Sequence, residues 1–146
     1  MTTALNGQDI GKKLTGLFPD SVVFSDKNSV IVNSSALYKV ADYLKNTPGL
    51  DFDYLANLTA VDYVDYFEVV YNLTSLRNNL SLTLKTRCYD RDNPVVPSLY
   101  NLWRTADYQE REAYDLMGII FKGHPNLKRL FLWEGFPGYP LRRDYL

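Results

Sequence analysis

Glu110-Arg111-Glu112, with Asp115 and then His124 beyond it, is the densest concentration of groups able to move protons or pair charges. A carboxylate beside a histidine suits general acid–base work, because imidazole titrates near neutral pH. In that reading Glu112 or Asp115 is the base and His124 its partner. The spacing supports a second reading. Asp107, Arg111 and Asp115 recur every four residues, so on a helix they share a face and Arg111 pairs with both carboxylates. This ladder accounts for the cluster without a substrate. Exposed, such pairs are worth about 0–1 kcal/mol each; desolvated against a partner, they set orientation and register. His124 lies between Gly123 and Pro125, and the proline biases it toward extended backbone, as suits a hydrogen-bonded residue at a turn.

Other chemistries find no support. Gly7-Gln8-Asp9-Ile10-Gly11-Lys12-Lys13 is one residue short of a phosphate loop and puts Lys13 at the Ser/Thr position, with no strand before it. No glycine triplet fits a dinucleotide fingerprint. Cys88 is the only cysteine and His124 the only histidine, too few for a zinc site or an iron–sulfur cluster, and Cys88 has no partner for an internal disulfide. Sixteen basic against 17 acidic residues oppose a binder that neutralises many phosphates. The polar stretch Met1–Phe18 is not a secretory signal, and no run reaches the roughly 20 apolar residues of a membrane span. A cytosolic protein is the expectation.

The elements that must position these groups read as one domain of 146 residues, 46% of them hydrophobic. Asn6 caps a helix carrying Ile10, Leu14 and Leu17 on one face and ending before Pro19. Ser21–Phe24 and Ser29–Asn33 flank Asp26-Lys27-Asn28 as a hairpin. Ser34 or Ser35 caps a second helix with Leu37, Val40, Ala41 and Leu44 inward, stopped by Pro48-Gly49. Three strands follow, Asp51–Val61, Tyr66–Ser75 and Leu80–Cys88. In the last, Leu80, Leu82 and Leu84 alternate with Ser81, Thr83 and Lys85, so one face is buried and the other wet. Pro97-Ser98 opens a helical stretch through Leu99, Leu102, Trp103 and Ala106 that breaks and resumes toward Met117. The order predicts an α+β, two-layer domain with a largely antiparallel or mixed sheet, followed by an extended C-terminal arm.

That arm, Gly118–Leu146, holds glycines 118, 123, 135 and 138, prolines 125, 137 and 140, and the aromatics Phe121, Phe131, Trp133, Phe136, Tyr139 and Tyr145. Such punctuation forbids a long helix or a central strand. Five basic residues against Glu134 and Asp144 give it +3, leaving −4 on the first 117 residues and no basic stripe there for a stacking nucleic-acid binder. A segment of this kind either wraps over its own domain or lies across another protein, since Arg, Trp, Tyr and Phe are enriched at interface cores. Composition leaves both open. The paired Arg142-Arg143 read either as a solvated tail or as forks for a partner's carboxylates.

The run Glu110-Arg111-Glu112-Ala113-Tyr114-Asp115-Leu116-Met117-Gly118-Ile119-Ile120-Phe121-Lys122-Gly123-His124-Pro125-Asn126-Leu127-Lys128-Arg129-Leu130 closely resembles the signature of the 30-kDa subunit of respiratory complex I, the NADH–quinone oxidoreductases. Gly138-Tyr139-Pro140-Leu141-Arg142-Arg143-Asp144-Tyr145 resembles the family's second motif, and Val96-Pro97-Ser98 its entry to the helical stretch. Asn126, Lys128 and Tyr139 depart from the family's usual Asp, Arg and His, and the chain ends just after the second motif where many members continue.

The resemblance implies a subunit of the hydrophilic arm, peripheral on the cytoplasmic or equivalent side of the energy-transducing membrane and bound to the 49-kDa subunit. It implies enzyme membership without an active site in this chain, and no cofactor here; flavin, iron–sulfur clusters and quinone belong to neighbouring subunits. Related subunits of membrane hydrogenases and deazaflavin dehydrogenases fit the same motifs. A stand-alone acid–base enzyme is the rival from another class. The expected division is a domain over 1–103 and a docking helix and arm over 104–146, together one structural unit. The expected partner-contacting residues are Glu110, Arg111, Glu112, Asp115, Phe121, His124, Pro125, Arg129, Phe131, Trp133, Pro140, Leu141, Arg142, Arg143 and Asp144. Arg111 and Asp115 set register, and Phe121, Phe131 and Trp133 supply buried area.

Overall fold

The computed structural model describes residues 2–133 and 136–143. In chain order the elements are β1 (Thr3–Ala4), α1 (Gly7–Leu17), β2 (Val22–Ser25), β3 (Ser29–Val32), α2 (Ser34–Asn46), β4 (Tyr54–Asp62), β5 (Phe67–Ser75), β6 (Leu80–Cys88), β7 (Val95–Pro97), α3 (Ala106–Met117) and β8 (Ile120–Lys122). The main sheet runs β2-β3-β6-β5-β4, with β1 also on β6. It is mixed: β1 and β3 pair parallel to β6, and the remaining pairs are antiparallel. The α+β architecture is the one the sequence predicts.

Period-two alternation builds the sheet. Leu73 faces Leu82, Tyr71 faces Leu84, Val69 faces Thr86 and Phe67 faces Cys88 across β5 and β6. All of these are buried, so each cross-strand pair lies on the core face. On the opposite face Glu68 is bracketed by Lys85 at 3.6 Å and Arg87 at 3.1 Å. Ile10 and Leu14 of α1, Leu37, Val40, Ala41 and Leu44 of α2, and Ala106, Ala113 and Met117 of α3 join the same core cluster, completing a two-layer packing.

Local differences from the sequence reading have physical causes. Asn6 caps α1 as expected, accepting from the Gln8 and Asp9 N–H groups; Leu17, at the last helical residue, stays exposed. The N-cap of α2 is Asn33 rather than Ser34 or Ser35, and it makes no side-chain cap bond; its amide donates instead to the Asp20 carbonyl at 2.6 Å. Strand β4 begins at Tyr54, not Asp51, because Asp51 takes a left-handed turn (φ 47°) that lets the Phe52 N–H reach the Leu44 carbonyl.

The largest difference follows Pro97. The helix expected to open there does not form until Ala106. Val95–Pro97 is instead a short strand parallel to Ile120–Lys122, and residues 98–105 turn back through bonds from Leu102 and Trp103 N–H to the Leu99 carbonyl. Leu99, Leu102, Trp103 and Ala106 are still all buried. Their spacing marks burial correctly and the local conformation wrongly, because turns and a helix place such residues on one side alike. Packing crosses the 103/104 boundary. Ala106, Ala113, Met117, Ile119 and Phe121 share one core with the sheet, and β7–β8 pairing crosses the line.

Candidate partner-docking surface

Helix α3 lies against β4, the outermost strand on its side of the sheet. The Gln109 Oε1 accepts the Leu58 N–H there, next to the register shift between Leu55 and Asn57. A carboxamide thus occupies a strand-edge donor that would otherwise be open to another chain. Between α3 and β4 runs a groove of about 210 Å³, lined by Leu58, Ala60, Ala113, Leu116 and Met117, with Leu141 over it and Glu112 on its rim.

Glu110 does not face a partner. It is fully buried, and its carboxylate accepts the Ser98 hydroxyl at 2.6 Å and the Leu99 N–H at 2.9 Å. Burial pushes its pKa up to about 7, opposed by those two hydrogen bonds. Its work is internal: it binds the irregular 98–105 turn to α3.

Asp115 is fully buried as well. One oxygen, Oδ2, accepts from three successive backbone N–H groups, Leu130 (3.1 Å), Phe131 (2.6 Å) and Leu132 (3.1 Å). The other, Oδ1, faces the Arg129 guanidinium at 3.6 Å. Successive N–H groups converging on one anion form a nest. In a segment without helix or strand, that nest fixes the backbone and turns its side chains outward. Phe131 is 57% exposed and Trp133 64%. Phe131 meets the Tyr108 ring in a T-shaped contact, and Trp133 meets the Phe136 ring in another.

The ladder of Asp107, Arg111 and Asp115 is therefore corrected. Arg111 donates to the Lys128 carbonyl at 3.4 Å, Asp115 is taken by the 130–132 amides and Arg129, and Asp107 meets His124 Nε2 at 2.9 Å. Helical spacing permits the ladder, but the returning loop supplies other partners, and for Asp115 buried ones. His124 Nδ1 accepts the Asn126 N–H, which puts the ring proton of this hydrogen-bond network on Nε2, toward Asp107. Glu112, Asp115 and His124 thus have separate surroundings and do not converge. Phe121, expected at the interface, sits in the core at 1% exposure.

The end of the described chain closes over α3. The helix stops at Gly118, whose φ of 78° is left-handed. A Cβ there would lie 2.7 Å from the Tyr139 ring and 2.9 Å from Arg142 Nη2, so the tail seats on a bare glycine. Leu141 N–H donates to the Leu116 carbonyl and Arg142 Nε to the Met117 carbonyl, satisfying groups left open at a helix C-terminus with a cation. Arg142 also stacks over Phe67 and Tyr139. Arg129 donates to the Gly138 carbonyl and lies over Tyr139 at 4.8 Å. Asp62, at the end of β4, accepts both terminal nitrogens of Arg91 and the Val64 and Arg143 N–H groups. The Arg91 guanidinium, helped by those amides, holds its carboxyl far below the ordinary range.

Part of the tail therefore wraps its own domain, while Glu112, Pro125, Phe131, Trp133, Leu141 and the Arg143 side chain remain at the surface and Pro140 is half-buried. Asp144 lies outside the described residues. Sequence reasoning missed Asp62, Ser98 and the seating role of Gly118; none has a spacing signal, because each acts on a segment distant in the chain. Among the described residues no cluster of His, Cys, Asp or Glu fits a metal ion, and no helix is long and apolar enough to cross a membrane.

Comparison with known proteins gives this surface its context. Residues 30–146 match the family described as respiratory-chain NADH dehydrogenase, 30-kDa subunit. The C subunit of the NADH-quinone oxidoreductase of Roseiflexus sp. (strain RS-1) is 41% identical over 148 residues, covering 97% of this chain and 84% of that protein. The corresponding protein of Moorella thermoacetica is 43% identical over 138 residues, covering 92% and 91%. A trypsin-resistant fragment of Nqo5 superposes with a TM-score of 0.60 at 30% identity, over 67% of this chain and 80% of the fragment. A chain of an archaeal membrane-bound sulfane sulfur reductase shares the fold, with a TM-score of 0.73 at 22% identity over 94% and 84%. With its ERE helix, its GHP turn and a match spanning most of its length, the chain belongs to the family of 30-kDa subunits of respiratory NADH dehydrogenases.

Proposed function

We propose that the chain is a cofactor-free structural and assembly subunit of the peripheral arm of a proton-translocating NAD(P)H–quinone oxidoreductase, docking on the 49-kDa subunit. It has no active site of its own in this reading. It sits peripherally on the cytoplasmic or equivalent side of the membrane, held there by the complex, with flavin, iron–sulfur clusters and quinone in neighbouring subunits. The observation that carries the reading is the outward presentation of Phe131 and Trp133 by a buried carboxylate nest. A fixed backbone with exposed rings is a pre-ordered anchor, and anchors of this type cost about 2 kcal/mol or more when truncated at an interface. Glu112 and Leu141 line the groove beside α3, which offers the same partner a further contact. The separate surroundings of Glu112, Asp115 and His124 argue against the stand-alone acid–base alternative.

Trp133→Ala in the native host is expected to weaken co-purification with the 49-kDa subunit without unfolding the chain, because the ring contributes nothing to the core. Retention at unchanged affinity would remove Trp133 from the anchor. Native mass spectrometry of the wild-type chain drawn from its own cells tests the whole reading: recovery free of any large partner overturns it.

A further inference from the structure

The turn between β4 and β5 carries a second exposed aromatic surface. Tyr63 is 47% exposed, Val64 55% and Tyr89 61%. The rings of Tyr63, Tyr66 and Tyr89 run in sequence, with centroids 5.3 and 5.4 Å apart. Val64 holds a left-handed φ of 75°, unusual for a β-branched residue, and its side chain stands outside the core. A hairpin tip needing only solubility would have glycine or asparagine there.

The charges around these rings are one-sided. Arg87 lies over Tyr66 at 4.5 Å but is drawn back to Glu68, and Arg91 is held by Asp62. Asp65, Asp90 and Asp92 make no ion pair among the described residues. The surface thus offers the exposed rings of Tyr63 and Tyr89, with the Tyr66 face already covered by Arg87, and three carboxylates without an ion pair among the described residues. Ring faces attract cations through their quadrupole, and the carboxylates supply the complementary field. It also adjoins the tail, since Asp62 at its base accepts the Arg143 N–H.

We propose that the Tyr63–Tyr66 tip together with Tyr89–Asp92 docks an extended, basic segment of a neighbouring subunit. The inference rests on the chain working inside a multisubunit complex, and not on Trp133 or the 49-kDa contact. Tyrosine nitration of the intact complex from its own cells, followed by peptide mapping, tests it. Tyr63 and Tyr89 should escape modification in the complex and accept it after dissociation, and the protection should be lost in a D65N/D90N/D92N complex. Asparagine at position 90 keeps the acceptor that caps its own turn. If that variant fails to assemble, loss of protection in the wild-type complex at raised salt is the equivalent result. Nitration of both tyrosines in the wild-type complex overturns the proposal. So does protection that survives charge removal and salt, or a cover shown by cross-linking to be a second copy of this chain. A Trp133→Ala complex that loses the 49-kDa subunit but keeps Tyr63 and Tyr89 protected would separate the two surfaces.

Discussion

The chain up to Cys88 and the chain beyond it hold their backbones by different means. In the first, strand ladders and two amphipathic helices satisfy most peptide groups, and burial of Leu, Val, Phe and Tyr side chains does the rest. In the second, regular elements are few, and buried carboxylates take over the peptide groups. Glu110 fixes the 98–105 turn, Asp115 gathers three amides of residues 130–132, and Asp62 reaches across to Arg143. A segment that keeps its rings outside cannot also commit them to a core. A dry anion accepting several N–H groups orders such a segment without hiding its side chains.

This contrast can be broken most directly at Asp115. Asp115→Ala strands the Arg129 charge and the 130–132 amides, and loss of one partner of a buried charged network costs about 3–5 kcal/mol. Denaturant unfolding should show that loss, and hydrogen exchange should show 130–132 opening while β5 and β6 stay protected. Unchanged exchange at 130–132 would mean that the nest does not fix the segment.

A smaller effect is expected at the glycine seat. Gly118→Ala adds a left-handed penalty of about 1–2 kcal/mol to contacts with Tyr139 and Arg142 that must give way. Gly49 has φ 91° but open space around it, so Gly49→Ala should show the backbone penalty alone. Thermal melts of the two variants compare these costs, and limited proteolysis after residue 138 should accelerate only in Gly118→Ala.

A third probe is pH. Glu110 has its folded pKa raised from 4.5 to about 7, so between those values the folded chain keeps a proton that the unfolded chain has released. Its contribution is present below pH 4.5 and is lost as pH rises toward 7, with a slope of up to about 1.4 kcal/mol per pH unit. Urea titrations at steps across that window should show this component in the wild type and a flatter profile in Glu110→Gln. Identical profiles would place the burial cost elsewhere.

Asn6 capping α1, the Asp26–Asn28 hairpin and the alternation of Leu82 and Leu84 with Thr83 and Lys85 are legible because each is written in adjacent or periodic residues. The motif residues of α3 can be found the same way, but their directions cannot. Glu110 and Asp115 look like surface charges in a helical wheel, and only the returning turn and loop show that they point inward.

Residue order alone was enough for the α+β sequence of elements, the buried face of the sheet, the scarcity of metal-ligand residue types and the motifs that mark the family. Those depend on local periodicity and on residue types at fixed spacing. It took the folded chain to establish that residues 98–105 turn rather than coil, that the Asp107–Arg111–Asp115 ladder gives way to Asp115–Arg129 and His124–Asp107, and that Tyr63, Tyr66 and Tyr89 meet. In each case the deciding partner comes from a distant stretch of chain or another turn of it. Contacts brought together by the fold outweigh local preference, most strongly where water is excluded, as at Asp115.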